Sequence, residues 1–187
     1  MPHGREAQSE ASPLPVAAMQ LRDATSDDAP AVLALNESFV AVLSPLDRQR
    51  LEHLAGQAAV YRVLEREGHI LAFLLAMRED ANYDSPNYRW FAERHRRFLY
   101  IDRIVVAAQA RGAGLGELLY RDAHAHARAG QVPSLVCEFD IAPPNPASER
   151  FHARLGFREV GRQTLGGGKQ VSLQMLDVGS ATPLSHG

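Results

Sequence analysis

A chain of 187 residues suits one domain with a substantial core. Its 45% apolar and 22% charged residues exclude disordered and fibrous classes, and a net charge of -2 supplies no field to draw it onto nucleic acid or an anionic membrane. A single cysteine, Cys137, excludes an internal disulfide and a cysteine zinc cluster, and points to a reducing, cytoplasmic setting. No run reaches the roughly 18 apolar residues of a membrane span, and residues 1–18 lack the apolar centre of a signal peptide. The expectation is a domain over 19–178, between a loosely ordered leader (1–18) and tail (179–187), with no membrane, nucleic-acid or metal partner.

In chain order, a short strand near Met19–Arg22 precedes a helix that Thr25 or Ser26 can cap, with Asp27 and Asp28 in its first turn. A second helix from about Pro45 carries Leu51, Leu54, Ala55 and Ala58 at helical spacing. The segments AVYRVLERE and HILAFLLAMR read as two strands joined by a tight turn at Glu67-Gly68; the second, almost unbroken apolar, is covered on both faces. Residues 79–97 are rich in aromatics and charges without a core stripe, and a loop this long is more often functional than idle. FLYIDRIVV is the next strand. After a glycine turn comes a helix with Leu115, Leu118, Leu119, Ala123 and Ala127 on one stripe and Glu117, Arg121, His124 and Arg128 on a solvated face. SLVCEF is a strand, NPASERFHARL a helix capped by Asn145 and ended by Gly156, and two strands near 158–165 and 170–177 close the chain.

The turn Arg111-Gly112-Ala113-Gly114-Leu115-Gly116, at a strand-to-helix junction, has the makings of a phosphate cradle, because first-turn helix N–H groups are unpaired and glycine admits close approach. A nucleotide-hydrolysing P-loop would need Gly-Lys and Ser or Thr where Gly116-Glu117-Leu118 stands. A dinucleotide fold would need a third glycine or alanine where the register gives Glu117 or Leu119, although Glu138 falls about 20 residues on as that fold would want.

The same turn resembles the Arg/Gln-x-x-Gly-x-Gly/Ala signature of the GNAT superfamily of N-acetyltransferases. Asn145-Pro146-Ala147-Ser148-Glu149-Arg150-Phe151-His152-Ala153-Arg154-Leu155-Gly156-Phe157 resembles that family's second signature, and the element order matches over roughly residues 19–178. The resemblance implies an α/β GNAT fold: a mixed, twisted sheet of six to seven strands with helices on both faces. It implies acetyl-CoA as co-substrate without a metal, bound by Ile104, Val105 and Val106 along a splayed strand and by residues 111–116, with Asn145, Ser148 and His152 contributing. It also implies N-acetylation by direct attack, and a homodimer is common among relatives. A non-catalytic coenzyme A binding module and a protein or peptide acetyltransferase stand as alternatives, since fold does not fix function.

Of the chemical groups, Asp102 interrupts an apolar strand and is the first candidate base; the competing reading is a structural ion pair with an arginine. Strand alternation places Tyr100, Asp102 and Ile104 on one face and Arg103 on the other. Glu138 and Asp140 are the weaker candidates. Many relatives carry a tyrosine where this chain has His152, which leaves two roles open, proton donor to the departing thiolate or simple binding group. Tyr83, Asp84, Tyr88 and Trp90 form an aromatic, partly acidic surface suited to a small-molecule primary amine, or else an aromatic cluster that packs the loop down.

Overall fold

Ten residues from His69 to Arg78, seven of them consecutively buried, cannot lie at an edge, and in the computed structural model they form the third strand of a seven-stranded sheet ordered β1-β2-β3-β4-β5-β7-β6. The structure describes residues 19–39 and 44–179; the expected leader, and the tail beyond Gly179, lie outside the described residues. The strands are β1 (Gln20–Asp23), β2 (Ala58–Arg66), β3 (His69–Arg78), β4 (Leu99–Val106), β5 (Ser134–Ala142), β6 (Arg158–Thr164) and β7 (Gln170–Asp177). The helices are α1 (Ala29–Glu37), α2 (Arg48–Gln57), α3 (Pro86–Ala92), α4 (Leu115–Ala129) and α5 (Pro146–Arg154).

All neighbouring pairs are antiparallel except β4 and β5, which are parallel and share only Leu99↔Leu135 and Tyr100↔Val136. Beyond those two pairs the sheet opens. One face is covered by α4 through Leu115, Leu119, Tyr120, Ala123 and Ala127, joined by Leu155 and Phe157. The other is covered by α1, α2 and α3, through residues such as Val32, Leu51, Leu54, Tyr88 and Phe91. Burial of these side chains on both faces is the main force holding the layers together.

Local signals explain the boundaries. Thr25 and Asp28 form a reciprocal capping box around a single 3-10 turn that leads into α1. Asp47 accepts from the Arg50 N–H at the head of α2, and Asn145 accepts from the Ser148 N–H at the head of α5. The second helix stops one residue short of the expected stripe: Ala58 is extended and opens β2. Within residues 79–97 the dipeptide Ser85-Pro86 starts a helix, with Ser85 accepting from the Tyr88 N–H and Pro86 at the first position, where its missing donor costs nothing. The face of α4 read as solvated is half-buried at Glu117, Arg121 and His124, and only Arg128 of the four is exposed.

Strand β4 departs from simple alternation. Leu75 pairs with Arg103 and Ala76 with Ile101, so Asp102 has no partner on β3 and is the extra residue of a β-bulge. Before the bulge Ile101 packs on the α4 side and Tyr100 on the other; after it Ile104 and Val106 pack on the α4 side and Val105 on the other. The expected sharing of a face by Tyr100, Asp102 and Ile104 is thereby corrected. Asp102 and Arg103 both serve the α1–α3 side, where Asp102 meets Tyr83 and Arg103 meets Asn36.

Candidate active site

The opening between β4 and β5 continues into a cleft of about 860 Å³. Ile104, Val105 and Val106 line it from β4, Cys137, Glu138 and Phe139 from β5, and Ser148, Phe151 and His152 from α5. Ala107 donates its N–H to the Leu71 carbonyl on β3 at 2.8 Å. By backbone alternation, the N–H groups of Ile104 and Val106 therefore point away from β3, toward the cleft, where no strand receives them.

Arg111 lines the cleft and leads into the glycine turn. Gly112 and Gly114 have φ of +79° and +76°, a region costly for residues with a Cβ, and a Cβ on either would stand in open space. Glycine is required here by conformation, and the space in front of the turn is clear. Gly116 differs: its Cβ would come within 3.4 Å of the Phe151 ring, so this glycine lets α5 pack against the head of α4. The first i→i−4 bond of α4 runs from Leu118 N–H to Gly114 O, which leaves the N–H groups of Leu115, Gly116 and Glu117 without helical partners. Unpaired N–H groups, the positive end of the helix dipole and the Arg111 guanidinium together suit a pyrophosphate.

Four carboxyls line the cleft: Asp84 is tied to Arg50 and Asp140 to Lys169, which leaves Asp102 and Glu138. Asp102 accepts one bond on each oxygen: Tyr83 OH donates to Oδ1 at 2.5 Å and Arg103 Nε to Oδ2 at 3.1 Å. Arg103, only 5% exposed, also donates to Asn36 Oδ1 (2.9 Å) and to the Ser44 carbonyl (2.8 Å). Burial raises the Asp102 carboxyl above the ordinary range, opposed by the Arg103 charge and the Tyr83 bond. Glu138 differs in one respect. Asn87 Nδ2 (2.9 Å) and Tyr100 OH (3.0 Å) both donate to its Oε1, while Oε2 is shielded from solvent and has no hydrogen-bond partner. Burial, with Asp102 as a neighbouring like charge, pushes Glu138 up to about 8.

At the opposite wall, His152 is buried and flanked by Phe139 in a stacked arrangement. Its Nδ1 lies 2.8 Å from the Ser148 carbonyl, which fixes the tautomer with the proton on Nδ1; Nε2 then accepts from Tyr120 OH at 2.7 Å. Burial lowers the pKa of His152, so the neutral ring is favoured. Tyr120 also meets the Cys137 thiol, and burial pushes both groups up.

The four residues expected to meet the acceptor divide. Tyr83 and Asp84 line the cleft, with Arg50 bonded to Asp84 and stacked over the Tyr83 ring at 5.3 Å. Tyr88 lies in the core, its hydroxyl donating to the Arg78 carbonyl and its ring against Tyr83, Phe98 and Tyr100. Trp90 packs on Gly161, where a Cβ would come within 2.5 Å of the indole, and carries Arg94 on its ring. Neither lines the cleft; they pack the loop onto the sheet. Residues that sequence reasoning passed over are Asn87 and Tyr120; Arg103, expected on the face opposite Asp102, instead pairs with it. Asn87 was signalled by Ser85-Pro86, which places it in the first turn of a helix; Tyr120 stood hidden beside the leucines of α4.

The architecture is that of a mixed sheet splayed open beside its parallel strand pair. Residues 21–157 match the model of the Acetyltransferase (GNAT) family, and the chain belongs to that family. Among solved structures it is similar to Ard1 from Thermoplasma volcanium, with 13% identity and a TM-score of 0.70 over 86% of this chain and 97% of that one. It is similar to the ribosomal-protein-S18-alanine N-acetyltransferase from Escherichia coli (16% identity, TM-score 0.66, 90% and 99% covered). It is also similar to yncA from Salmonella typhimurium with its cofactor acetyl-CoA (21% identity, TM-score 0.64, 89% and 98% covered). No curated protein matches the chain. Among the described residues no helix is long and apolar enough to cross a membrane.

Proposed function

We propose that this chain is an acetyl-CoA-dependent N-acetyltransferase that acts on a small-molecule primary amine by direct attack. The observation that carries the reading is the gap that opens between β4 and β5 beside the glycine turn, with the carboxyl of Glu138, held by Asn87 and Tyr100, in its wall. Bound acetyl-CoA supplies the electrophilic thioester carbon. Residues 111–117 hold its pyrophosphate, and the free N–H groups of Ile104 and Val106 are the donors available to its pantetheine arm and thioester oxygen. Glu138, as carboxylate, accepts the proton that the amine loses as its nitrogen bonds to the acetyl carbon and the carbon–sulfur bond breaks.

We assign Asp102 to holding Tyr83 and Arg103, since each oxygen accepts a bond and its charge is paired with the Arg103 guanidinium. Cys137 is buried, its thiol held in the neutral form, which supports direct attack over an acyl-enzyme. Phe39, Ser44 and Pro45 on one side and Leu165 and Lys169 on the other also line the cleft, which supports a small acceptor over a folded protein surface. The test is release of free thiol from acetyl-CoA over a panel of amines, amino acids and peptides. Turnover with small amines supports the reading; peptides as the only acceptors, or none at all, refute it.

His152 we assign to the wall. Both ring nitrogens are committed, so it holds the Tyr120 hydroxyl rather than supplying a proton to the thiolate. His152→Phe is expected to cost about 1–3 kcal/mol of stability, because a buried hydroxyl loses its acceptor, and to leave the shape of the pH–rate profile unchanged. Loss of a titrating limb in that variant would restore the acid role.

A further inference from the structure

The β3–β4 connection reaches two carboxyls of the cleft, Tyr83 binding Asp102 and Asn87 binding Glu138. Asn87 is 7% exposed and both ends of its amide are engaged: Nδ2 donates to Glu138, and Oδ1 accepts from Gln163 Nε2, on edge strand β6, at 3.0 Å. We propose that Asn87, held by Gln163, is a positioning residue: with the Tyr100 hydroxyl it saturates Oε1 of Glu138 and directs proton uptake to Oε2. The proposal rests on Glu138 as the base.

The physical argument is one of valence. An oxygen that accepts two hydrogen bonds carries the carboxylate charge and offers little to an incoming proton, whereas Oε2 accepts none. A flipped amide would present Oδ1 to Glu138 and favour a proton on Oε1, the neutral form that takes up no further proton. Gln163 opposes that flip. Other charged or titratable groups also face Glu138: Tyr83, Tyr100 and Asp102 from the β3–β4 side, Cys137 and Asp140 along β5, Tyr120 from α4, and Lys169 through its 3.0 Å pair with Asp140. All are unchanged by substitution at 87 or 163, so the effect of the amide can be isolated.

The experiment is a carbon-13 NMR titration of the Glu138 carboxyl in the acceptor-free protein, its resonance identified by its absence in Glu138→Gln. Asn87→Leu removes a donor that favours the carboxylate and is expected to raise the midpoint by about one unit. Asn87→Asp, which sets a second carboxyl beside the first, raises it further. Gln163→Leu, on a half-exposed edge strand and safe for folding, moves it in the same direction by less. With an amine that turns over, the alkaline rise of kcat/KM follows the midpoint, and the variant is about tenfold slower near pH 7 and converges with wild type above the rise. A midpoint unmoved in Asn87→Leu and Gln163→Leu, or a loss of rate equal at every pH, overturns the proposal. Full activity in Glu138→Gln would instead refute the base itself, whatever the titration shows.

Discussion

Glu138→Gln is expected to lower kcat/KM by about 10²- to 10⁴-fold, the usual contribution of a general base, and to abolish the rise of rate with pH centred at about 8. The amide preserves the Asn87 and Tyr100 contacts in size and shape but accepts no proton from the amine. The acceptor amine titrates as well, so the variant should keep that limb and lose only the one belonging to the enzyme; pH profiles with two amines of different basicity separate them. A second readout has the opposite sign. In the folded protein Glu138 stays protonated up to about 8, whereas in the unfolded chain it ionises near its ordinary value of 4.5. Over that window the folded state holds more protons than the unfolded state, so its contribution to stability falls as pH rises, by about 1.4 kcal/mol per unit at most. Glu138→Gln removes that penalty, and its unfolding midpoint should exceed wild type at pH 9 but not at pH 4. A variant that is both slower and no more stable at alkaline pH would contradict the burial of this carboxyl.

The second large effect belongs to Arg103. Its side chain and that of Asp102 are each 6% exposed, and besides Asp102 the guanidinium holds the buried Asn36 and the Ser44 carbonyl. Arg103→Met leaves Asp102 charged, desolvated and without its counter-ion, and breaking such a pair from one side costs about 3–5 kcal/mol. The deficit should shrink in acid, where Asp102 takes up a proton, and grow as pH rises through the raised titration of the abandoned carboxyl. Chemical denaturation at pH 5 and pH 8 measures this. Adding Asp102→Asn should recover part of the loss at pH 8 and little at pH 5. The same variant releases Asn36 and the Ser44 carbonyl, so KM for the amine should rise more than KM for acetyl-CoA.

Much of this architecture is readable from the residues. The unbroken apolar run of β3, the glycine turn and the Asn145-Pro146 helix start depend on local composition, and each lies where periodicity and capping put it. The site is less legible, because it depends on contacts between residues far apart in sequence. Glu138 looks like one more acid at the end of a strand until Asn87, 51 residues earlier, and Tyr100, 38 earlier, are found on one of its oxygens. Asp102 draws attention as a charge in an apolar strand, yet its partners turn it into a tie. The bulge itself is not legible: Asp102 and Arg103 interrupt the apolar run LYIDRIVV, but nothing in the sequence says that both serve the same face.

That extra residue changes what kind of object β4 is. Read without Asp102, the strand is Leu99, Tyr100, Ile101, Arg103, Ile104, Val105, Val106, and every one of these already lies on the face that an unkinked strand would give it. The scaffold therefore holds a seven-residue strand with a carboxylate spliced into its backbone, and the splice leaves the packing of both layers untouched. Chain length at this point is a degree of freedom separate from the core, so the acidic group that lines the cleft here is an addition to the sheet and not a side chain exchanged within it.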